Sequence, residues 1–521
     1  METVLIGAPG CGARTVGRAL AERHRAGFVD LTGPPGRRAD ALSGLRSAVE
    51  PDASPVLRRI IAADRIVSDP AIRARLYRGR KVIWLDVPAD RLIERLRGAR
   101  REDVGIEGDI RQFIPSHLAA YLPYYNAGER VDGSGSISAT IELAEPVLAE
   151  PVASGTLVLR ADVHGGLIEL GEGILGTSLG HVLQRLTARR CVVISSAASL
   201  GRADRAAEVV RSSARIPVDI EELPVGESAK LLGHLEPLFR RLADLHVQRT
   251  DPVVALGDDV LLEAATFAAA VWLRGVPLVA IPATTLGMID TGIGGKGGVN
   301  LPGVGRNLLG AIHQPIATIL DIDLVDDEPL GDRRAALAEA IKYGLLGDEA
   351  ILSLLESRLP RSDAERWPSA PDLLELVERC ALAKRRLVLL DEQDTAGVRI
   401  ALNLGHTLSH ALEAATGYRL RHGEAVAYGL RAALDIGLAM GVTPVPVAAR
   451  ANRLLARIGL GQTPLDVPVD QIIDYIEADK KRLEGRTRWV LVGRDAVMVR
   501  DDVPGSTVRD AVTRSIVPPT Q

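Results

Sequence analysis

The segment RIALNLGHTLSHALEAATGYRLRHGEAVAYG, residues 399–429, carries three of the 10 histidines of this 521-residue chain. His406 and His410 are four residues apart in a helical pattern and therefore share one helix face, and His422 lies just before a second helix that we expect to begin near Glu424. Imidazoles on one face, with a carboxylate from elsewhere, can hold a catalytic Zn²⁺ with an open coordination position. Histidines that cap helices or lie at a surface give the same pattern, so the spacing alone leaves both interpretations open.

A glycine-rich segment, TTLGMIDTGIGGKGGVNLPGVGRNLLG at residues 284–310, is the second candidate site. Its glycines let a backbone approach a ligand closely, and Lys296, Arg306 and Asn307 can hold an anion. A glycine-rich turn with solvated cations is the alternative.

The composition is typical of an α/β enzyme: 46% of the residues are hydrophobic, and there are 51 glycines against 4 phenylalanines. The net charge of −4 is spread along the chain and gives no footprint for nucleic acid or for an anionic membrane, so we expect a small-molecule partner. Cys11, Cys191 and Cys380 are too far apart for a disulfide framework or a CxxC metal site, which fits a reducing compartment. With no apolar run long enough for a membrane span, we expect a cytoplasmic protein.

The order of apolar and helical runs predicts several domains. Up to about residue 131, apolar runs such as KVIWLDV (81–87) alternate with Arg-rich helical stretches, which is typical of a parallel sheet with helices on both faces. Glycine, serine and proline then mark a linker over 133–153, and β-branched runs from VVISSAAS (192–199) to VPLVAIPA (276–283) predict a second α/β domain over 154–310. Ala/Leu-rich periodic segments predict a mainly helical domain over 311–521.

From about residue 154 onward the chain resembles 3-dehydroquinate synthase, of the sugar-phosphate cyclase superfamily. The motifs that carry the resemblance are GESAK (226–230), LRG (273–275), IGGKGGVN (293–300), AEAIKYG (338–344), LNLGHTLSHALEAATGY (402–418), HGEAV (422–426) and DKK (479–481). The resemblance implies a Rossmann-like NAD-binding α/β domain, an all-α metal-binding domain, and, by analogy, a homodimer.

The resemblance also implies the cofactors and the site residues. Zn²⁺, or Co²⁺ in its place, would be held by Glu339, His406 and His422, while His410 would lie in the substrate site. The residues expected to bind NAD are Glu227, Lys230, Gly257, Glu263, Thr284 and Arg306. The residues expected around the substrate are Lys296, Lys342, Arg399, Asn403, His410, Lys384, Asp290, Arg274, Asn307, Lys480 and Lys481.

The substrate implied by the resemblance is a sugar phosphate, 3-deoxy-D-arabino-heptulosonate 7-phosphate. Transient oxidation at C5 by NAD⁺, loss of phosphate, re-reduction, ring opening and aldol closure would give 3-dehydroquinate, an intermediate of the shikimate pathway. Several cations are expected because this substrate carries both a carboxylate and a phosphate.

Two features depart from the family pattern. In GDDVLLE, residues 257–263, Asp258 and Asp259 stand where the family has glycines, and Glu263 stands where it has an aspartate. Carboxylates at such a loop add bulk and like-charge repulsion where the NAD pyrophosphate would approach. A family lysine is replaced by Arg306.

The first 132 residues resemble shikimate kinase in GAPGCGARTVG (7–17) and in VIWLDVPADRLIERL (82–96), which implies a P-loop kinase-like fold. The phosphate-bridging lysine is replaced by Ala13, the hydroxyl that binds Mg²⁺ by Arg14, and one of two aspartates by Thr32. Phosphoryl transfer depends on the first two groups to neutralise charge on the γ-phosphate. We therefore expect a degenerate, inactive kinase-like domain.

Three alternatives remain open from the sequence. The first is a bifunctional shikimate kinase and 3-dehydroquinate synthase. The second is a cyclase that acts on a related sugar phosphate, and the third is a regulatory protein that has lost activity.

Overall fold

The structure, a computed structural model, divides into two compact units. It describes residues 2–32, 59–97, 109–150, 155–302, 305–358, 369–482, 487–494 and 496–517, with backbone alone at residues 71 and 479–482. The first unit comprises Met1–Thr187, Glu208–Arg215 and Ile316–Asp323, and the second comprises Ala188–Ala207, Ile216–Pro315 and Leu324–Gln521.

The strands are β1 (Glu2–Ile6), β2 (Gly27–Leu31), β3 (Arg59–Ala63), β4 (Lys81–Asp86), β5 (Glu129–Asp132), β6 (Thr156–Val163), β7 (Gly166–Glu172), β8 (Cys191–Ser196), β9 (Val218–Leu223), β10 (Val253–Gly257), β11 (Leu278–Pro282), β12 (Lys296–Leu301), β13 (Gly305–Ile312), β14 (Ala317–Asp321), β15 (Trp489–Val492) and β16 (Val497–Arg500).

The α-helices are α1 (Ala13–His24), α2 (Pro70–Tyr77), α3 (Ala89–Leu96), α4 (Ile110–Tyr125), α5 (Ile137–Ala149), α6 (Leu175–Gln184), α7 (Leu200–Val209), α8 (Leu232–Asp244), α9 (Asp259–Val271), α10 (Leu330–Leu345), α11 (Glu349–Arg358), α12 (Ala370–Leu390), α13 (His406–Ala415), α14 (His422–Ala439), α15 (Val445–Arg457), α16 (Val469–Arg482) and α17 (Gly505–Ile516).

The first unit contains a five-stranded parallel sheet in the order β2-β3-β1-β4-β5. Its central strand β1 pairs on both sides, with Val4 opposite Ile61 and Val82, and its apolar residues are buried, as expected of a parallel strand covered on both faces. The parallel α/β prediction for this region is confirmed. Between β1 and α1 the chain turns through Gly10 and Gly12, whose φ angles of 88° and 94° favour glycine.

The stretch 133–153, predicted as a linker from its composition, contains helix α5. Ser136 caps this helix by accepting a hydrogen bond from the Ala139 N–H at 3.2 Å, and Ile141 and Ala144 are buried. The glycines and serines therefore mark a helix start as well as a chain connection. Also in the first unit, β7 pairs with β6 antiparallel and with β14 parallel. The domain bounds themselves stay a prediction.

The second unit contains the parallel strands β11, β10, β8 and β9, in that order. All four β-branched runs that the sequence marks as strands form them. β8, β10 and β11 are buried along their whole length, and Val192, Val253 and Leu278 belong to one apolar core.

The last third is mainly helical, as predicted. The helix of His422 begins at that residue, with Arg421 as its N-cap. The Glu424 side chain, three positions after Arg421, accepts a hydrogen bond from the Arg421 N–H at 3.1 Å and so closes a capping box. The sequence expectation was a start near Glu424. The antiparallel hairpin β15–β16 was not predicted. Within the described ranges, no helix combines the length and the apolarity needed to cross a membrane.

Candidate metal and cofactor site

Three helices of the second unit bring Glu339, His406 and His422 together. Glu339 lies in the middle of α10, and the two histidines are the first residues of α13 and α14. The Nε2 atoms of both histidines lie 3.4 Å from Glu339 Oε1. The potential ligand atoms lie within 4.8 Å of one another, and this is the one group of its kind found in the part of the chain that the structure describes.

The contacts of the two imidazoles fit a metal ion. His406 Nδ1 lies 3.2 Å from the Leu404 carbonyl oxygen, and His422 Nδ1 lies 3.1 Å from Glu413 Oε1. Since both partners can only accept, Nδ1 carries the hydrogen in each case. Each Nε2 therefore faces Glu339 and is the atom through which the neutral ring can bind a metal.

Charge is concentrated on the buried Glu339. Burial opposes ionisation of this carboxyl, but Lys342 and His406 lower its pKa to about 2. Lys342 is itself buried and forms an ion pair with Glu339 one helical turn away. Burial lowers the pKa of His406 to about 3 although Glu339 is close. Glu339 and His406 thus have the protonation states that Zn²⁺ ligands require. At His422 burial is outweighed by the hydrogen bonds to Glu339 and Glu413, which raise the pKa well above its usual value, so zinc binding would displace a proton from that ring.

Two glycines let the helices that carry Glu339, His406 and His422 approach one another closely. A Cβ atom at Gly423 would lie 1.9 Å from the Ala335 carbonyl oxygen, and one at Gly429 would lie 1.9 Å from the Gly405 carbonyl oxygen. A side chain at either position would separate α14 from the segments that carry Glu339 and His406.

A second buried cluster surrounds Asp290. Lys384 Nζ donates to Asp290 Oδ1 at 2.6 Å and to the Asp290 carbonyl oxygen at 2.7 Å, and the Tyr343 hydroxyl donates to the same carboxylate. Burial opposes the charge on Asp290, but Lys384 and Lys342 hold its pKa well below the usual range. Sequence reasoning missed Tyr343, which lies inside the quoted motif AEAIKYG.

Two further cations of the predicted substrate set, Lys296 and Arg399, contact the loop that follows α12. Lys296 Nζ lies 2.6 Å from Asp394 Oδ2, and Arg399 donates to the carbonyl oxygens of Gly294 at 3.0 Å and Glu392 at 2.9 Å. Asp394, with a φ of 55°, was not anticipated, because a contact across 98 residues leaves no local signal in the sequence.

The four charged residues of the predicted cofactor set form ion pairs in the second unit. The Glu227 carboxylate accepts from Asn300 Nδ2 at 2.7 Å and also binds Arg306, and the buried Lys230 pairs with Glu263. Asn307, predicted near the substrate, donates its backbone N–H to Asn300 Oδ1 at 3.0 Å.

The altered glycine loop has a structural role. Asp258 caps α9, since its Oδ1 accepts from the Leu261 N–H at 2.9 Å. Burial and then Asp258 raise the pKa of Asp259 to about 7. Gly257 ends β10, its carbonyl accepting from the Ala283 N–H at 2.8 Å, and Thr284 Oγ1 accepts from the Gly287 N–H at 3.0 Å.

Two other predicted residues are not drawn into these clusters. Arg274 and Asn403 are exposed, and no hydrogen bond or ion pair seen among the described residues joins them to the clusters. His410 is exposed, with its ring centroid 5.5 Å from that of His406. The side chains of Lys480 and Lys481 lie outside the described residues.

A parallel α/β sheet, a helical region and a glutamate–histidine–histidine triad beside buried lysine–carboxylate pairs define a candidate metalloenzyme. The family models described as 3-dehydroquinate synthase N-terminal and 3-dehydroquinate synthase C-terminal match residues 220–334 and 336–482. The 3-dehydroquinate synthase of Acaryochloris marina is 35% identical over 355 residues, covering 68% of this chain and 94% of that protein. That of Nostoc punctiforme is 40% identical over 294 residues, covering 56% and 80%. The chain belongs to the 3-dehydroquinate synthase family.

Solved structures show the same fold. The 2-epi-5-epi-valiolone synthase of Streptomyces hygroscopicus subsp. jinggangensis, with NAD⁺ and Zn²⁺ bound, matches with a TM-score of 0.58 at 23% identity, over 67% of this chain and 96% of that one. A 2-deoxy-scyllo-inosose synthase complexed with carbaglucose-6-phosphate, NAD⁺ and Co²⁺ matches with a TM-score of 0.58 at 23% identity, over 68% and 99%.

Proposed function

We propose that this chain is a 3-dehydroquinate synthase, which converts 3-deoxy-D-arabino-heptulosonate 7-phosphate to 3-dehydroquinate and phosphate. The observation that carries the proposal is the triad of Glu339, His406 and His422, assembled within a chain of this family. Its donors are one carboxylate and two Nε2 atoms whose rings are already oriented, which is the donor set of a catalytic zinc site with an open position.

When bound, Zn²⁺ supplies Lewis acidity and NAD⁺ supplies a hydride acceptor. The chain's own residues orient the substrate and hold its protons. Burial lowers the pKa of Lys384, whose amine contacts the ionised Asp290. Lys384 Nζ is therefore the atom of this pair that can give a proton to the substrate or take one from it. Lys296 is partly exposed and pairs with a carboxylate, so an anionic group of the substrate can replace Asp394 as its partner.

The proposal includes NAD⁺ binding by Glu227, Lys230, Gly257, Glu263, Thr284 and Arg306. The ion pairs that gather the four charged members support it. Because the pKa of Asp259 lies at about 7, part of the population carries no charge there at neutral pH, which reduces repulsion of a pyrophosphate.

We further propose that residues 1–132 form a shikimate kinase-like domain without kinase activity. Support comes from the parallel sheet and from the glycine loop that precedes α1. Arg14 Nε lies 2.7 Å from Asp30 Oδ2 and 3.0 Å from Thr32 Oγ1, so a guanidinium pairs with the carboxylate that survives from the kinase pattern. The domain bounds at 132, 153 and 310 and a homodimeric state also belong to the proposal.

The test is phosphate release from the heptulosonate phosphate by the purified full chain with Zn²⁺ and NAD⁺. Release with formation of 3-dehydroquinate is expected, and a folded, zinc-loaded chain that releases no phosphate would contradict the proposal. Release only from another sugar phosphate would favour the related-cyclase alternative. The same chain incubated with shikimate and ATP should form no ADP, and ADP formation would establish the bifunctional alternative.

A further inference from the structure

We propose that Glu413 is a positioning residue that fixes the imidazole of His422 for metal binding and is itself held in place by Arg306. This inference rests on the proposed metal site and adds a residue to it that the sequence did not mark as functional.

The two oxygens of Glu413 have different partners. Glu413 is buried in α13, with Oε1 3.1 Å from His422 Nδ1 and Oε2 3.2 Å from Arg306 Nη1. Rotation of the carboxylate would break one contact or both. The plane of the carboxylate, and with it the direction from which the imidazole is held, is therefore fixed.

Arg306 is fixed in turn by other groups. Its guanidinium pairs with Glu227 and lies over the ring of Tyr418, 5.0 Å from the ring centroid. A second carboxylate and an aromatic face, both separate from Glu413, thus restrain the cation that holds Glu413. A planar guanidinium can make these contacts at the same time, which a single ammonium point charge cannot do equally well.

The contact between Glu413 and His422 has a direct consequence for the metal. A carboxylate on Nδ1–H selects the tautomer that presents Nε2, sets the ring plane and raises the basicity of the ligand. For His406 the corresponding partner is the Leu404 backbone carbonyl. Of the two histidines, His422 is therefore the one whose orientation depends on an acidic side chain.

The experiment measures zinc affinity by competition with a chromophoric chelator, using the full-length chain, and compares Glu413→Gln and Glu413→Ala with the wild type. Loss of such a partner weakens metal binding by about 10- to 100-fold. The Co²⁺-loaded variants should also show an altered visible spectrum, which reports ligand geometry independently of activity. Arg306→Ala should weaken zinc binding, and Arg306→Lys, which keeps the charge, should recover part of the loss.

Glu375→Gln is the matched control. Glu375 is also a buried helical glutamate paired with an arginine, with Oε1 3.0 Å from Arg379 Nη2, and it lies on α12. This variant should bind zinc as the wild type does. If Glu413→Ala fails to fold, Glu413→Gln and Glu413→Asp decide the question. Glutamine keeps the volume but loses the charge that pairs with Arg306, and aspartate keeps the charge but is one methylene shorter, so both should fold and still bind zinc less tightly than the wild type.

The outcomes separate this inference from the proposed reaction. Zinc affinity of the folded Glu413 variants within about twofold of the wild type, with an unchanged Co²⁺ spectrum, would overturn the positioning role, as would an equal loss in Glu375→Gln. A wild type that binds zinc and depends on Glu413, but releases no phosphate, would support the positioning role and contradict the reaction. A wild type that binds no zinc would overturn both.

Discussion

Replacement of Gly423 by alanine tests whether close approach of two helices sets the geometry of the metal site. The added Cβ would lie 1.9 Å from the Ala335 carbonyl oxygen, whereas real Cβ atoms are essentially never found closer than 3.0 Å to such an atom. The backbones of α14 and α10 must therefore separate by at least 3.0 − 1.9 = 1.1 Å at this point.

This separation of α14 from α10 would move His422 away from Glu339. His422 precedes Gly423, and the Ala335 carbonyl lies one helical turn before Glu339, whose N–H it accepts in an α-helix. Metal–ligand distances tolerate deviations of only about 0.2 Å, so the ligands cannot close on zinc without restoring the clash. The metal-free chain can relieve the clash by separating the two helices, whereas the metal-bound chain cannot. Overpacking strain of about 1–3 kcal/mol in the metal-bound state alone lowers zinc affinity about 5- to 150-fold.

The assay is chelator competition on the folded variant, with Gly201→Ala as control. A Cβ at Gly201, the second residue of α7, meets nothing within 4 Å, and alanine favours a helix more than glycine does. Gly201→Ala should therefore bind zinc like the wild type. Wild-type zinc affinity in Gly423→Ala would refute the reasoning, and so would an equal loss in both variants.

Three further predictions concern buried charges. In the metal-free chain, Lys342→Met removes the lysine paired with the buried Glu339 and should cost about 3–5 kcal/mol in denaturant unfolding, with partial recovery when zinc is added. Burial opposes the charge on Asp290, but Lys384 holds the pKa of this carboxyl well below its usual range. The stability that the carboxylate contributes is therefore present above the unfolded-state pKa of about 4 and is lost as the pH falls through the folded-state pKa. Asp290→Asn should accordingly flatten the loss of unfolding free energy on acidification. Burial raises the pKa of Asp259 to about 7, so this group destabilises the fold as the pH rises from about 4 through 7. Asp259→Asn should remove that loss in a pH series of unfolding curves.

Much of the fold could be predicted because its signals are local. The strands β1, β4, β8, β10 and β11 each contain a continuous apolar run, since parallel strands buried on both faces have no polar side to display. Helix α5 and the hairpin β15–β16 were missed. The prolines and glycines around them are equally compatible with irregular connections, and tertiary packing decides between the two.

The site was less accessible to the sequence. Spacing places His406 and His410 on one helix face, but the imidazole that faces His406 across Glu339 is that of His422, twelve residues beyond His410 and on another helix. The identity of Glu339 came from a family resemblance. Glu413 had a signal that went unused: it lies seven residues, two helical turns, after His406 in the same helix.

The acidic substitutions in the glycine loop are compatible with a working cofactor site for reasons visible in the contacts. Asp258 caps α9, and Glu263 neutralises the buried Lys230, so each of these carboxylates is already engaged within the fold. The remaining carboxylate, Asp259, is half-buried, and loss of hydration together with the neighbouring Asp258 raises its pKa to about 7. An anionic ligand brought to this loop would favour the neutral form of Asp259 further, since like charges raise a carboxyl pKa. Binding of a dinucleotide would thus take up a proton near neutral pH, and that uptake distinguishes an adapted cofactor loop from one that has lost its ligand.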